Sequence, residues 1–174
     1  FGVSCTVYFQ IDESNKAPRR TLEMISELLR YQLYGGNQKV SILQEIDYLK
    51  TYIALRKLRM SERLRLRVEF PPELNELNIY PLLFLPLVEN AFKYVGGDYQ
   101  LDIIMKWENN RISLFIRNSI PELSAEDEAL RKSVDERQRK GIGLVNLRRR
   151  LSLLYPSKHR LETRKEETEF VAEL

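Results

Sequence analysis

The sequence is poor in several features that whole classes of protein depend on. A single cysteine, Cys5, among 174 residues excludes an internal disulfide framework and fits a reducing compartment. The longest apolar run, Leu82–Val88, is far shorter than the roughly 20 residues that span a bilayer, so no membrane-crossing segment is expected. The 28 basic and 25 acidic residues leave a net charge of only +3, which gives no general reason to expect contact with nucleic acid or a membrane surface.

What the chain does contain predicts a folded protein. With 43% hydrophobic and 30% charged residues, it is long enough for one well-packed domain and a modest helical extension. It opens with Phe1 rather than methionine and has no signal-peptide pattern, so we expect it to be a piece of a longer protein.

Helical periodicity marks both the beginning and the middle of the chain. Apolar residues from Leu22 to Leu33 recur at helical spacing and predict a helix over about 19 to 34, ended by Gly35 and Gly36. Ser41 is a good N-cap for a second helix that reaches about Met60. These two helices predict a helical hairpin or arm. Two further helices are expected at about 82 to 95 and 143 to 155.

Alternating apolar residues predict strands between these helices. The run from Leu64 to Phe70 predicts one strand, and residues 101 to 105 and 112 to 116 predict a hairpin across Asn109 and Asn110. Residues 160 to 164 and 168 to 174 predict a second hairpin. The chain is therefore expected to be α+β, a two-layer α/β sandwich with one helical face and the N-terminal helical arm. The polar stretch from 119 to 140 has little to bury, so it predicts a lid over a site.

One polar cluster lies on the predicted helix over about 82 to 95, which should start just before Pro86. Glu89, Asn90 and Lys93 fall within an arc of about 100° on that helix, among apolar neighbours. Considered alone, the three residues are also compatible with an ordinary solvated helix face.

A second motif is Gly141-Ile142-Gly143, which opens an amphipathic helix. Glycines let a backbone approach a ligand closely, and amides at a helix N-terminus bind anions such as phosphate. A tight turn followed by a solvated basic helix is the structural alternative.

Several motifs in a fixed order resemble one family. The chain resembles the LytS/YehU-like sensor histidine kinases of the GHKL ATPase superfamily, whose nucleotide domain has the Bergerat fold. The resemblance covers about residues 17 to 174, and its motifs are Leu28–Tyr31, Glu45–Arg59, Pro81–Lys93 and Gly141–Tyr155. It implies part of a helical dimerisation and phosphoacceptor region at 1–60, without the phosphoacceptor histidine, and a GHKL-type catalytic ATP-binding domain at 61–174.

The resemblance also implies roles for individual residues. Asn90 would hold Mg²⁺ against the triphosphate of ATP, Glu89 would act catalytically by orienting or activating the reacting group, and Lys93 would face the phosphates. The remaining nucleotide-binding residues would be Asn118, Gly141, Gly143, Leu144 and Asn146.

The sequence departs from the family pattern at three places. Tyr94 stands where the family has a histidine. By strand register, Asn118 replaces the aspartate that accepts a hydrogen bond from the adenine amino group, and its amide oxygen can still accept one. The phosphoacceptor histidine is absent, and the only histidine, His159, lies on the wrong element and is expected to serve packing or solvation.

The resemblance implies an ATP-binding catalytic region of a two-component sensor histidine kinase. It would transfer the γ-phosphate to a histidine on an upstream helix of the parent protein, for relay to a response regulator. The parent is expected to be a membrane-anchored homodimer with this fragment in the cytoplasm, and the fragment alone should not autophosphorylate. The alternatives are a degenerate, non-catalytic nucleotide-binding or interaction module and, more remotely, a serine kinase of the anti-sigma type or another GHKL ATPase.

Overall fold

The computed structural model describes residues 15–34, 38–72, 74, 77–121 and 142–174. These residues form four helices, α1 Lys16–Tyr34, α2 Ile42–Lys57, α3 Leu85–Tyr94 and α4 Ile142–Leu154, and seven strands, β1 Val40–Ser41, β2 Arg65–Glu69, β3 Asn78–Ile79, β4 Gln100–Glu108, β5 Arg111–Ser119, β6 Glu162–Lys165 and β7 Glu169–Glu173.

The chain divides into two compact units. The first comprises the described residues up to Met60 together with Leu74–Leu82, and the second comprises those of Ser61–Glu73 and Leu83–Leu174. The functional boundary predicted between residues 60 and 61 stays a prediction.

The first unit is built around the helical pair that the sequence predicts. Helix α1 begins at Lys16, three residues before the predicted start, because Pro18 is tolerated in a first turn, where amides have no helical partner. The Ser41 hydroxyl caps α2 and forms a capping box with Gln44. Helix α2 ends at Lys57 and packs against α1. The short strands β1 and β3 pair in antiparallel fashion, a feature that the sequence did not predict.

A five-stranded mixed sheet forms the second unit. Its strand order is β2-β4-β5-β7-β6, with β2 parallel to β4 and the other pairs antiparallel. The hairpin between β4 and β5 turns at Asn109 and Asn110, whose φ angles of 52° and 59° are those of a type I′ turn. Both predicted hairpins are therefore confirmed, and so is the α+β class.

Helices cover one face of this sheet. Helix α3 packs on β4 and β5, and α4 packs against α3. The inward side chains of the strands and the apolar sides of these helices form a buried core. It includes Leu87, Val88, Leu101, Ile103, Met105, Leu114, Ile116, Leu147 and Leu151. Within the described ranges, no helix has the length and apolar character needed to cross a membrane.

The first two residues of the stretch predicted to form a lid continue the pairing of the sheet instead. Ser119 is the last residue of β5, and the amide of Ile120 donates to the carbonyl of Thr168, because the strand pairing continues to this point. The rest of the prediction, from residue 122 to residue 140, lies outside the described residues.

Candidate functional site

Helix α3 presents the polar cluster on the side opposite its buried face. Pro86 lies in its first turn, where a missing amide hydrogen costs nothing. Leu87, Val88, Ala91 and Phe92 are buried against the sheet and its neighbours, whereas Glu89 and Lys93 are exposed and Asn90 is half-buried. The three polar residues thus share one accessible side of a helix that is anchored by its apolar side.

Lys93 has a local aromatic contact in this structure. Its Nζ lies 5.0 Å from the centroid of the Tyr94 ring, within the range of a cation–π interaction. Because the lysine is exposed, this contact costs little to exchange for a phosphate, at about 0.5–1 kcal/mol for such exposed pairs. The residue that departs from the family pattern therefore lies directly beside the predicted phosphate-facing cation.

Asn118 is the most unusual polar residue of the site. It lies on the inward face of β5, in line with Leu114 and Ile116, and its exposed fraction is 0%. Its Nδ2 donates to the Ser119 carbonyl at 3.2 Å. Its Oδ1 is buried and has no hydrogen-bond partner among the described residues. A buried acceptor without a donor is costly, so a ligand that brought a donor to this oxygen would gain a hydrogen bond.

The end of β5 is fastened to the loop that follows α3. Ser119 Oγ donates to the Gly96 carbonyl at 2.6 Å and accepts from the Gln100 amide at 2.9 Å. A Cβ on Gly96 would lie 2.9 Å from Pro121 Cδ, and Gly97 has a φ of 61°, so a larger residue would be strained at either position. These contacts hold Asn118 in a fixed place relative to the C-terminal end of α3.

The N-terminus of α4 carries the second motif. Gly141 lies outside the described residues, whereas Gly143, Leu144 and Asn146 lie in the first turns of the helix. A Cβ added to Gly143 would meet no described atom within 4 Å. The glycine is therefore not needed for packing against the described part of the protein, and no described side chain fills the space beside it.

The helices and the strand that carry the predicted site residues are neighbours in the structure. Helix α3 contacts both β5 and α4, so the three elements that carry the polar cluster, Asn118 and the glycine motif are neighbours in the second unit. Arg148 of α4 donates to the Leu161 carbonyl and to Thr163 Oγ1, and these hydrogen bonds fasten α4 to β6 and the residue before it. His159 Nδ1 lies 2.7 Å from the carbonyl of Tyr155 at the end of α4, a local structural contact.

Two buried carboxylates were not singled out from the sequence. Asp102 on the outer face of the sheet accepts from Arg117 Nη2 at 2.6 Å, and this hydrogen bond raises the pKa of Arg117. Glu45 of α2 is fully buried. A signal for Glu45 was available, because it lies three residues after Ile42 and four before Leu49, on the apolar stripe of its helix.

Comparison with known sequences places the chain near sensor kinases. A family profile described as "Histidine kinase" matches residues 5–64. The "Sensor protein kinase HptS" of Staphylococcus aureus strain USA300 is 27% identical over 166 residues, which cover 92% of this chain and 32% of that protein. The protein of the same name in strain NCTC 8325 matches equally. The chain thus spans about a third of the length of the curated relatives it matches.

Comparison with solved structures concerns the fold. A structure titled as a bacterial phosphotransferase matches with a TM-score of 0.50 and 9% identity, covering 99% of this chain and 84% of that chain. The catalytic domain of the histidine kinase ThkA matches with a TM-score of 0.42 and 14% identity, covering 79% of this chain and 95% of that domain. In sequence, the chain is similar to the histidine kinase profile over residues 5–64 and to these sensor protein kinases over 166 residues.

Proposed function

We propose that this chain is the ATP-binding catalytic part of a two-component sensor histidine kinase of the LytS/YehU-like type. It transfers the γ-phosphate of ATP to a histidine on an upstream helix of its parent protein, and a response regulator then receives the phosphate. The parent is a membrane-anchored homodimer in this proposal, with the present chain on the cytoplasmic side. Relatedness to sensor protein kinases along 92% of the chain supports the proposal.

The single observation that carries nucleotide binding is the buried Oδ1 of Asn118. Because Nδ2 donates to the Ser119 carbonyl, the amide is oriented so that the oxygen, not the nitrogen, is left to a ligand. The exocyclic amino group of adenine supplies the matching donor. Guanine carries a carbonyl at that position, which would face the Asn118 oxygen with no hydrogen between them.

The polar side of α3 suits the other end of the nucleotide. Mg²⁺ prefers hard oxygen ligands and keeps several waters and phosphate oxygens, so one protein amide oxygen from Asn90 fits its needs. Bound Mg²⁺ would neutralise charge on the transferring phosphoryl group. Lys93 adds a cation on the same side of α3, and the N-terminal turn of α4 presents amides at Gly143 and Leu144. Glu89 supplies a carboxylate that orients or activates the incoming histidine.

The test mixes this chain with a separately produced fragment of the parent protein that carries the upstream histidine. We expect the chain to bind Mg-ATP and to place acid-labile phosphate on the fragment, with none on itself. Binding is measured by calorimetry, and transfer with radiolabelled ATP followed by acid treatment. Binding without transfer to any such fragment would identify the alternative, a non-catalytic nucleotide-binding module.

Replacing Asn118 by leucine should separate stability from ligand recognition. Asn118→Leu removes a buried acceptor that has no partner in the described part of the chain, and the Ser119 carbonyl keeps the amide of Gly96 as a donor at 3.0 Å. We therefore expect a Tm equal to or above that of the wild type in the absence of nucleotide. We also expect ATP to bind about tenfold more weakly, because one buried hydrogen bond is worth on the order of 1.4 kcal/mol.

The base preference provides the control. In the wild type ATP should bind more tightly than GTP, and Asn118→Leu should narrow that difference rather than weaken both nucleotides equally. Equal losses for ATP and GTP would mean that Asn118 does not read the base. Binding is measured for both nucleotides by competition against a fluorescent ATP analogue.

A further inference from the structure

Glu45 is a carboxylate that α2 buries completely. Its exposed fraction is 0%, although it lies in the first turn of the helix, where acidic residues usually face water. A buried carboxylate is stable only when hydrogen bonds replace its lost hydration. The Oε2 atom of Glu45 accepts from the Tyr31 hydroxyl at 2.7 Å and from the backbone amide of Leu82 at 2.8 Å.

The second of these donors belongs to a strained residue. Leu82 has a φ of 57°, in the left-handed region that side chains larger than those of glycine, asparagine and aspartate rarely adopt. Such a conformation persists only where the surroundings hold it, and strained residues of this kind cluster at functional sites. The hydrogen bond from the Leu82 amide to Glu45 is a contact that holds it.

Leu82 also occupies a junction in the chain. It is the last residue of the first unit, and Leu83 begins the main part of the second. Only two residues separate Leu82 from the start of α3, the helix that carries Glu89, Asn90 and Lys93. The backbone conformation at Leu82 therefore bears directly on how the chain enters that helix.

The rest of the environment keeps the carboxylate in place. Tyr31 of α1 stacks on Tyr48 of α2, with ring centroids 4.7 Å apart, and Gln32 Nε2 donates to the Tyr48 hydroxyl at 2.7 Å. Burial, followed by the hydrogen bond to Glu45, raises the pKa of Tyr31, so its hydroxyl stays a donor at ordinary pH. The acceptor that meets the Leu82 amide is thus held in place by contacts from α1 and α2.

We propose that Glu45 is a positioning residue for the nucleotide site: its carboxylate holds Leu82 in the left-handed conformation and so fixes how the chain enters α3. This inference rests on the proposed binding of Mg-ATP. In this role the carboxylate acts through the backbone that leads from Leu82 into α3, not by contact with a nucleotide. Loss of the carboxylate should therefore weaken nucleotide binding in a protein that is still folded.

A double-mutant cycle on this chain tests the proposal. Glu45→Met removes the acceptor, and Leu82→Gly removes the strain, because glycine adopts a φ of 57° freely. We expect Glu45→Met to weaken Mg-ATP binding about tenfold in the wild-type background but less than about threefold in the Leu82→Gly background. Glu45→Gln, which keeps an acceptor oxygen, should stay within about threefold of the wild type. Asp47→Asn is the matched control, because it removes an exposed carboxylate from the same helix. This variant should bind Mg-ATP with the affinity of the wild type.

The outcomes separate this inference from the function on which it rests. If the wild type does not bind Mg-ATP, the proposed function fails. The positioning role is overturned if the wild type binds Mg-ATP but Glu45→Met lowers the affinity by the same factor in both backgrounds. It is also overturned if the folded Glu45→Met protein binds Mg-ATP as tightly as the wild type. Should Glu45→Met not fold, Tyr31→Phe serves instead, since it keeps the stacking on Tyr48 and removes one hydrogen bond to Glu45. It should speed hydrogen exchange at the Leu82 amide and weaken Mg-ATP binding, and unchanged values of both would equally overturn the role.

Discussion

Asn90→Ala should abolish the Mg²⁺-dependent part of ATP binding while leaving the fold intact. The side chain is half-buried on the accessible side of α3, and it supplies the one protein oxygen proposed for the metal. We expect the Kd for Mg-ATP to rise by at least about 100-fold, since even outer-shell partners of a metal cost 10–100-fold when removed. Alanine is a better helix former than asparagine, so the Tm should be unchanged or slightly higher.

Calorimetric titrations with Mg²⁺ and with a chelator measure this directly. In the wild type, ATP should bind more tightly with Mg²⁺, whereas in Asn90→Ala the two titrations should coincide. Asn78→Ala is the matched control, because it removes an exposed asparagine from β3 and should behave as the wild type. A variant that keeps its full Mg²⁺ dependence would show that another residue holds the metal.

The parts of the fold that could be predicted are those with a clear local sequence signal. The hairpin of β4 and β5 follows from strict alternation around two asparagines that tolerate positive φ, and α2 follows from the N-cap at Ser41. The paired strands Val40–Ser41 and Asn78–Ile79 could not be predicted, because a two-residue strand has no periodicity and its partner lies far along the chain.

In the candidate site, too, the features set by local sequence could be predicted and those set by tertiary contacts could not. The polar side of α3 follows from helical geometry, and the inward direction of Asn118 follows from strand register. The sequence could not reveal that Asn118 Oδ1 lacks a partner among the described residues, or that Glu45 meets the amide of Leu82, because both depend on which segments meet in space. The left-handed conformation of Leu82 is equally invisible in sequence, since leucine gives no signal for it.

Glu89→Gln should separate transfer from binding. Glutamine has the size and hydrogen-bonding reach of glutamate but cannot accept a proton, so it preserves positioning and removes basicity. Because Glu89 is exposed on α3, the substitution leaves the buried side of the helix unchanged. We expect ATP affinity within about threefold of the wild type and a transfer rate to the upstream histidine that falls by about 10²–10⁴-fold, the range typical of general acid–base catalysis.

Single-turnover phosphorylation of the histidine fragment, with this chain in excess and saturated with Mg-ATP, measures the chemical step apart from product release. Glu108→Gln, at the exposed end of β4, is the matched control and should transfer at the wild-type rate. Transfer by Glu89→Gln at the wild-type rate would exclude a catalytic role for the carboxylate. A parallel loss of binding and transfer would instead assign Glu89 to holding the nucleotide, because only an interaction made in the transition state lowers the rate of transfer while leaving binding unchanged.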